Sequence, residues 1–148
     1  MCESSLMSKQ QPTPEETVNA LAVEIRVLES TFNELTGRQG LLERALLESR
    51  AALETIKGLD GNTPEVLTQI GGGAMLHSPP PAIDKVMINI GANIVIEKPK
   101  DEAVAMLEER SRDVEKTIVS IAGQRNEIAE RLNADRELLN NLVAKSQE

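Results

Sequence analysis

The chain has 148 residues, a formal net charge of −8 and 40% apolar residues, yet Phe32 is its only aromatic side chain. A globular core of this size draws on several aromatics, because each buries a large area, whereas a disordered chain lacks this much apolar material. The acidic balance disfavours nucleic acid and anionic lipid as partners, and no apolar run of about 18 residues is present to cross a membrane.

The first residues, Met1 to Gln11, lack the apolar stretch of a secretory signal. Cys2 is the only cysteine, so neither a disulfide framework nor a thiolate metal cluster is expected. A cytoplasmic chain is the expectation. Met7 is an alternative start, which would make Cys2 incidental. Residues 1–13 read as a flexible tail.

Thr13-Pro14-Glu15-Glu16 predicts a helix start, with Thr at the N-cap, Pro at the first helical position and Glu three residues past the cap. From Val18, alternating steps of three and four reach Leu21, Ile25, Leu28, Phe32, Leu35, Gln39, Leu42, Leu46, Ser49, Leu53 and Ile56. All but Gln39 and Ser49 are apolar, as in the a/d seam of a left-handed coiled coil. Lys57-Gly58 supplies a basic last turn and a terminating glycine. The first helix is therefore expected over residues 14–57.

Residues 58–99 change character, with Gly, Pro and β-branched residues replacing Glu, Arg and Leu. Strands are predicted at Val66–Ile70, Ala74–Ser78, Val86–Ile90 and Ile94–Glu97, with glycine-rich turns Gly71-Gly72-Gly73 and Gly91-Ala92-Asn93 inside each pair. Two β-hairpins follow, linked by Ser78-Pro79-Pro80-Pro81. Ile70 to Leu76 aligns with Ile90 to Ile96 at a spacing of 20, so the two hairpins should be built alike. Four short strands cannot bury a core alone, and their edges need pairing or protection. Val86, Ile88, Ile90, Ile94 and Ile96 find nothing in the chain to cover them fully. Together with Val66, Ile70 and Met75 they form the candidate oligomerisation surface. The glycines are not a phosphate loop, since no Gly-Lys-Ser/Thr follows and no helix starts there.

After Pro99, a second helix is expected over residues 100–145, its first turn carrying Asp101 and Glu102. The same walk from Val104 gives Leu107, Ser111, Val114, Ile118, Ile121, Arg125, Ile128, Leu132, Asp135, Leu139 and Leu142; Ser111, Arg125 and Asp135 are its polar members. Each walk covers roughly 58 Å of helix at 1.5 Å per residue. Matched lengths predict one antiparallel coiled-coil hairpin with two β-hairpins inserted at its turn, a mainly α fold with both chain ends at one tip. Residues 146–148 read as a short tail. Pairing the first seam position of one helix with the last of the other sets Val18 against Leu142 and Ser49 against Ser111. Gln39 and Arg125 then fall in adjacent layers, whereas Asp135 meets Ile25. Gly37, Gly40 and Gly123 lie at one level, either as tolerated surface glycines or as a point of bending.

No catalytic constellation stands out, and neither enzyme activity, a metal nor a cofactor is expected. His77 has no Cys or carboxylate at useful spacing, Asp84 and Lys85 suit a solvated strand lead-in, and Cys2 lies in the tail. Near the chain ends, Ala22, Val23, Val27, Leu138, Val143 and Ala144 lie off the seam and widen its apolar surface. The candidate client-binding set is Val18, Leu21, Ala22, Ile25, Leu138, Leu139, Leu142 and Val143. Off-seam Leu41 and Leu47, nearer the turn, make this enrichment modest.

The order long helix, hairpin, hairpin, long helix resembles the α-class prefoldin subunits. The resemblance is most specific in Gln69 to Leu76 and Val86 to Lys98, which look like that family's two glycine-turn hairpins; β-class subunits carry one. It covers residues 14–145. The archaeal form of the class is the expectation, a eukaryotic paralogue the alternative. The resemblance implies a hexamer of two α and four β subunits whose hairpins assemble into β-barrels. It also implies capture of non-native proteins between coiled-coil tips without ATP and delivery to a group II chaperonin. A structural coiled-coil adaptor in another complex is the competing expectation.

Overall fold

The computed structural model describes residues 10–147; Cys2 and Met7 lie outside them. Six elements follow in chain order: α1 (Pro14–Gly58), β1 (Val66–Gly71), β2 (Ala74–Ser78), β3 (Lys85–Gly91), β4 (Ile94–Pro99) and α2 (Lys100–Ser146). The first helix starts on a reciprocal cap. The Glu16 amide donates to Thr13 Oγ1 at 3.2 Å, and the Thr13 amide donates to the Glu16 carboxylate at 3.0 Å, so two otherwise orphaned donors are satisfied.

Contacts divide the chain into two units, one running to Gln39 and resuming at Ile121, the other Gly40–Ser120. In the first unit the helices pair antiparallel. Arg125 Nη1 donates to Gln39 Oε1 at 2.9 Å, and Arg136 reaches Glu29 at 2.6 Å, the partner number falling as the other rises. Seam positions carry the burial: Leu21, Ile25, Ile121 and Leu132 are core, while Val18, Leu28, Phe32, Leu35, Ile128, Leu139 and Leu142 are half-buried. The two long polar seam residues meet each other, and the Arg125 guanidinium also sits 4.9 Å from the Phe32 ring centroid, a cation–π contact.

Asp135 is the costly member of this seam. It is only 6% exposed. Arg131 Nε donates to its Oδ1 at 3.3 Å while Arg131 Nη2 holds Glu24 at 2.6 Å. Asp135 Oδ2 has no hydrogen-bond partner among the described residues. A polar residue at a single seam position lowers stability and specifies register.

In the second unit the helices again run antiparallel. Arg50 pairs with Glu115, and Lys57 with Glu108 at 3.0 Å. These pairs are exposed and each is worth at most about 1 kcal/mol. The core is a small cluster of Leu53, Ile88, Ala103 and Leu107, edged by Ile56, Val86, Val104 and Met106. Ala103 is fully buried. Ser111 turns its hydroxyl back to the Leu107 carbonyl at 2.9 Å, which satisfies a buried polar group within its own helix.

Two separate two-stranded antiparallel sheets lie between the helices, β1–β2 and β3–β4. Their registers are the same at a spacing of 20. Val66 pairs with Ser78 as Val86 pairs with Lys98, and Thr68 with Leu76 as Ile88 with Ile96. Each register shifts at one place, between Gln69 and Gly71 or between Asn89 and Gly91. The turns match too: Gly71 and Gly91 have φ of 109° and 106°, followed by two left-handed residues, Gly72-Gly73 or Ala92-Asn93. Asn enters that region readily, whereas Ala pays a steric penalty there.

Two expectations need correcting. Ile88 is covered by its own chain: at 5% exposed it belongs to the core with Leu53, Ala103 and Leu107. The reason is that β3 lies against the helices, with Val86 and Ile96 half-buried on the same face. His77 does have a carboxylate partner, Glu65, at 2.5 Å from Nδ1. The β1–β2 register folds the chain back and brings these distant positions together.

Candidate functional site

Two apolar surfaces stand out, one on the hairpins and one in the unit that holds the chain ends. In a strand, successive side chains point to opposite faces, so each hairpin has two. On β3–β4, Val86, Ile88 and Ile96 share the face turned to the helices, and Ile90 and Ile94 continue that face into exposure toward the turn. The opposite face presents Met87, 72% exposed, and Val95.

On β1–β2 the face equivalent to the covered one carries Val66, Thr68, Ile70 and Leu76. Only Val66 and Ser78 of this hairpin are even half-buried. Thr68 stands where Ile88 does, and its hydroxyl lies 3.1 Å from the Ser78 hydroxyl. A hydroxyl at that position removes the apolar key that fixes the second hairpin. Leu67 and Met75 are exposed on the other face.

Of the hairpin residues singled out from sequence, Ile70, Met75, Ile90 and Ile94 are therefore available, Val66, Val86 and Ile96 in part, and Ile88 is not. Leu67, Leu76, Met87 and Val95 were missing from that set. Their signal was present in the strand alternation, which assigns both faces of a strand once one is known to be covered. Exposed apolar side chains this dense on small sheets mark an interaction surface.

In the chain-end unit, Leu21 and Ile25 are core, while Val18, Ala22, Leu139 and Leu142 are half-buried. Leu138 and Val143 are exposed, as are Val23 and Val27 at 60% and 58%. Beside the helix ends Pro14, Glu15, Val18, Leu142, Val143 and Ser146 line a hollow of about 370 Å³. This surface offers apolar contact and no reactive group. Among the described residues no cluster of His, Cys, Asp and Glu is placed to hold a metal, and no helix is long and apolar enough to cross a membrane.

The prefoldin subunit family model matches residues 16–145. The chain is 30% identical over 135 residues to the prefoldin subunit alpha of Nitrosopumilus maritimus, covering 90% of this chain and 93% of the relative. To the prefoldin subunit alpha of Methanoculleus marisnigri it is 34% identical over 126 residues, 75% of this chain and 85% of the relative. The cryo-EM structure of filamentous PFD from Methanocaldococcus jannaschii shares the fold, with a TM-score of 0.64 at 22% identity over 76% of this chain and 95% of that one. Prefoldin subunits are non-enzymatic chaperone components that assemble with one another, and two hairpins between two long helices are the arrangement found here. The chain belongs to the prefoldin family, among its α subunits.

Proposed function

We propose that this chain is the α component of a hexamer with four β-class subunits, and that the assembly holds non-native proteins without ATP before passing them to a group II chaperonin in the cytoplasm. The hairpins carry assembly and the chain-end unit carries capture. The observation that carries the capture reading is the cluster of exposed Val23, Val27, Leu138 and Val143 with half-buried Val18, Ala22, Leu139 and Leu142 in the chain-end unit, whereas the exposed Leu41, Leu47 and Val119 lie in the other unit. A weakly apolar arm binds many unfolded chains poorly, but several arms in one assembly gain avidity. Fraying of the terminal turns, which are held weakly, would add Val18 and Leu142, and deeper opening would add Leu21, Ile25 and Leu139.

The test is suppression of aggregation of an unrelated denatured protein by the complex formed with a β-class subunit. Replacing Val23, Val27, Leu138 and Val143 by Gln keeps helix propensity high and removes apolar surface. The expected outcome is intact assembly with capture reduced several-fold. Undiminished capture would reject the chain ends as the binding surface. Absence of any suppression by the unsubstituted complex would favour the adaptor reading, in which the helices bind one specific partner.

A further inference from the structure

The two hairpins share a register, a bulge and a turn, but among the described residues only the second is bonded to a helix at its base and near its turn. At the base, the Lys100 amide donates to the Asp84 carbonyl at 3.0 Å. In the middle, Ile88 is in the core with Ala103 and Leu107 of α2. Near the turn, Arg110 Nη2 donates to the Asn89 carbonyl at 3.0 Å. The distances agree with a strand laid along the helix: Asp84 to Asn89 is roughly 17 Å of strand, and Lys100 to Arg110 is roughly 15 Å of helix.

Asn89 is also where the β3–β4 register breaks. Its side-chain oxygen accepts the Gly91 amide at 2.8 Å, closing the bulge locally, while its carbonyl is the group that Arg110 takes. A bulge bends and twists its strand, so the carbonyl held there sets the direction of everything beyond it. In β1–β2 the equivalent position is Gln69, and the side-chain bonds of that hairpin run to its own residues or the adjoining loop, Thr68 with Ser78 and His77 with Glu65.

We propose that Arg110 is a positioning residue for subunit assembly. By holding the Asn89 carbonyl against α2 it fixes the tilt of β3–β4, and Met87 and Val95 meet the partner subunit in a preset orientation. In the first hairpin Thr68 replaces Ile88 and, among the described residues, no helix side chain is seen to hold the Gln69 carbonyl as Arg110 holds that of Asn89, so this hairpin takes its final orientation on the partner. This rests on the reading that the hairpins carry assembly. Preorganisation of one hairpin lowers the ordering cost of association.

The experiment uses the full chain with Arg110→Met, which keeps the apolar stem and removes the donor, Arg110→Lys, which restores a donor, and Arg112→Met as a matched loss of charge on α2. Each is mixed with a β-class prefoldin subunit, and assembly is followed by sedimentation across a dilution series. Hydrogen exchange over residues 85–99 and circular dichroism of the helices are read in parallel. For R110M the assembly midpoint should move about tenfold to higher concentration, the loss expected for a charged donor on a carbonyl. Its β3–β4 amides should exchange faster at unchanged helix content. R110K should recover most of the assembly, and R112M should match the parent chain. Assembly of R110M at the parent concentration would overturn the proposal, and so would equal weakening of R110M and R112M. Failure of the unsubstituted chain to assemble at all would overturn the hairpin-assembly reading itself, and the Arg110 role with it.

Discussion

The two β-hairpins are near copies in backbone and differ in burial at a few positions on one face. They share pairing register, bulge position and turn geometry at a spacing of 20, yet the second sends Ile88 into the core cluster and the first contributes no residue to it. The difference comes down to few side chains. Ile88 reaches the Leu53, Ala103 and Leu107 cluster, and Thr68 at the same place in the repeat cannot supply that apolar contact. Repetition of backbone therefore does not imply repetition of role: β3–β4 adds Ile88 in the core, the Arg110 bond to Asn89 and a direct run of β4 into α2, and Thr68 supplies no counterpart to Ile88.

That contrast is most severely tested by truncating the two equivalent positions. Ile88→Ala should destabilise the chain by about 2–5 kcal/mol, as for other buried Ile truncations. Thr68→Ala should change stability by less than about 0.5 kcal/mol, the usual range for exposed sites. Urea unfolding of the unassembled chain measures both, and equal effects would mean that the first hairpin is docked as well. A smaller effect is expected at the turns. Gly72 and Ala92 are equivalent left-handed residues with φ of 59° and 51°. Gly72→Ala should cost about 1–2 kcal/mol within the first hairpin, and Ala92→Gly should relieve a similar penalty in the second. Amide exchange within each hairpin reads the two changes separately, and opposite signs are the expected outcome. Least of all, Glu65→Gln removes a carboxylate from an exposed pair with His77, and its effect on unfolding should stay within about 0.5 kcal/mol.

The seams were the most legible part of the chain. Every position on the two 3–4 walks is buried or half-buried, because heptad spacing states a physical requirement at each residue independently. Gln39 with Arg125 was legible as adjacent layers, since a register follows once two lengths match. The strands were legible from β-branched runs and glycine turns. The covering of Ile88 was not: alternation shows that a strand has two faces, but not which face a helix will cover. The Glu65–His77 pair needed the hairpin register, and the Arg110–Asn89 bond needed strand and helix side by side. Asp135 stood out as an exception to the seam, but Arg131 four residues earlier emerged as its partner only from side-chain geometry. For the chain-end surface, sequence marked the apolar residues but not how they divide between core and solvent.

Ala103, the smallest apolar side chain, is fully buried, whereas no large side chain among the described residues is. Unfolding heat capacity grows with the apolar area newly wetted, so the isolated chain should show a small heat-capacity increment and a shallow denaturant slope for its length. On the proposed assembly, covering of the hairpins by other subunits would supply burial that the chain lacks by itself. Its melting temperature should then depend on subunit concentration by mass action, so that dilution weakens it as heating does.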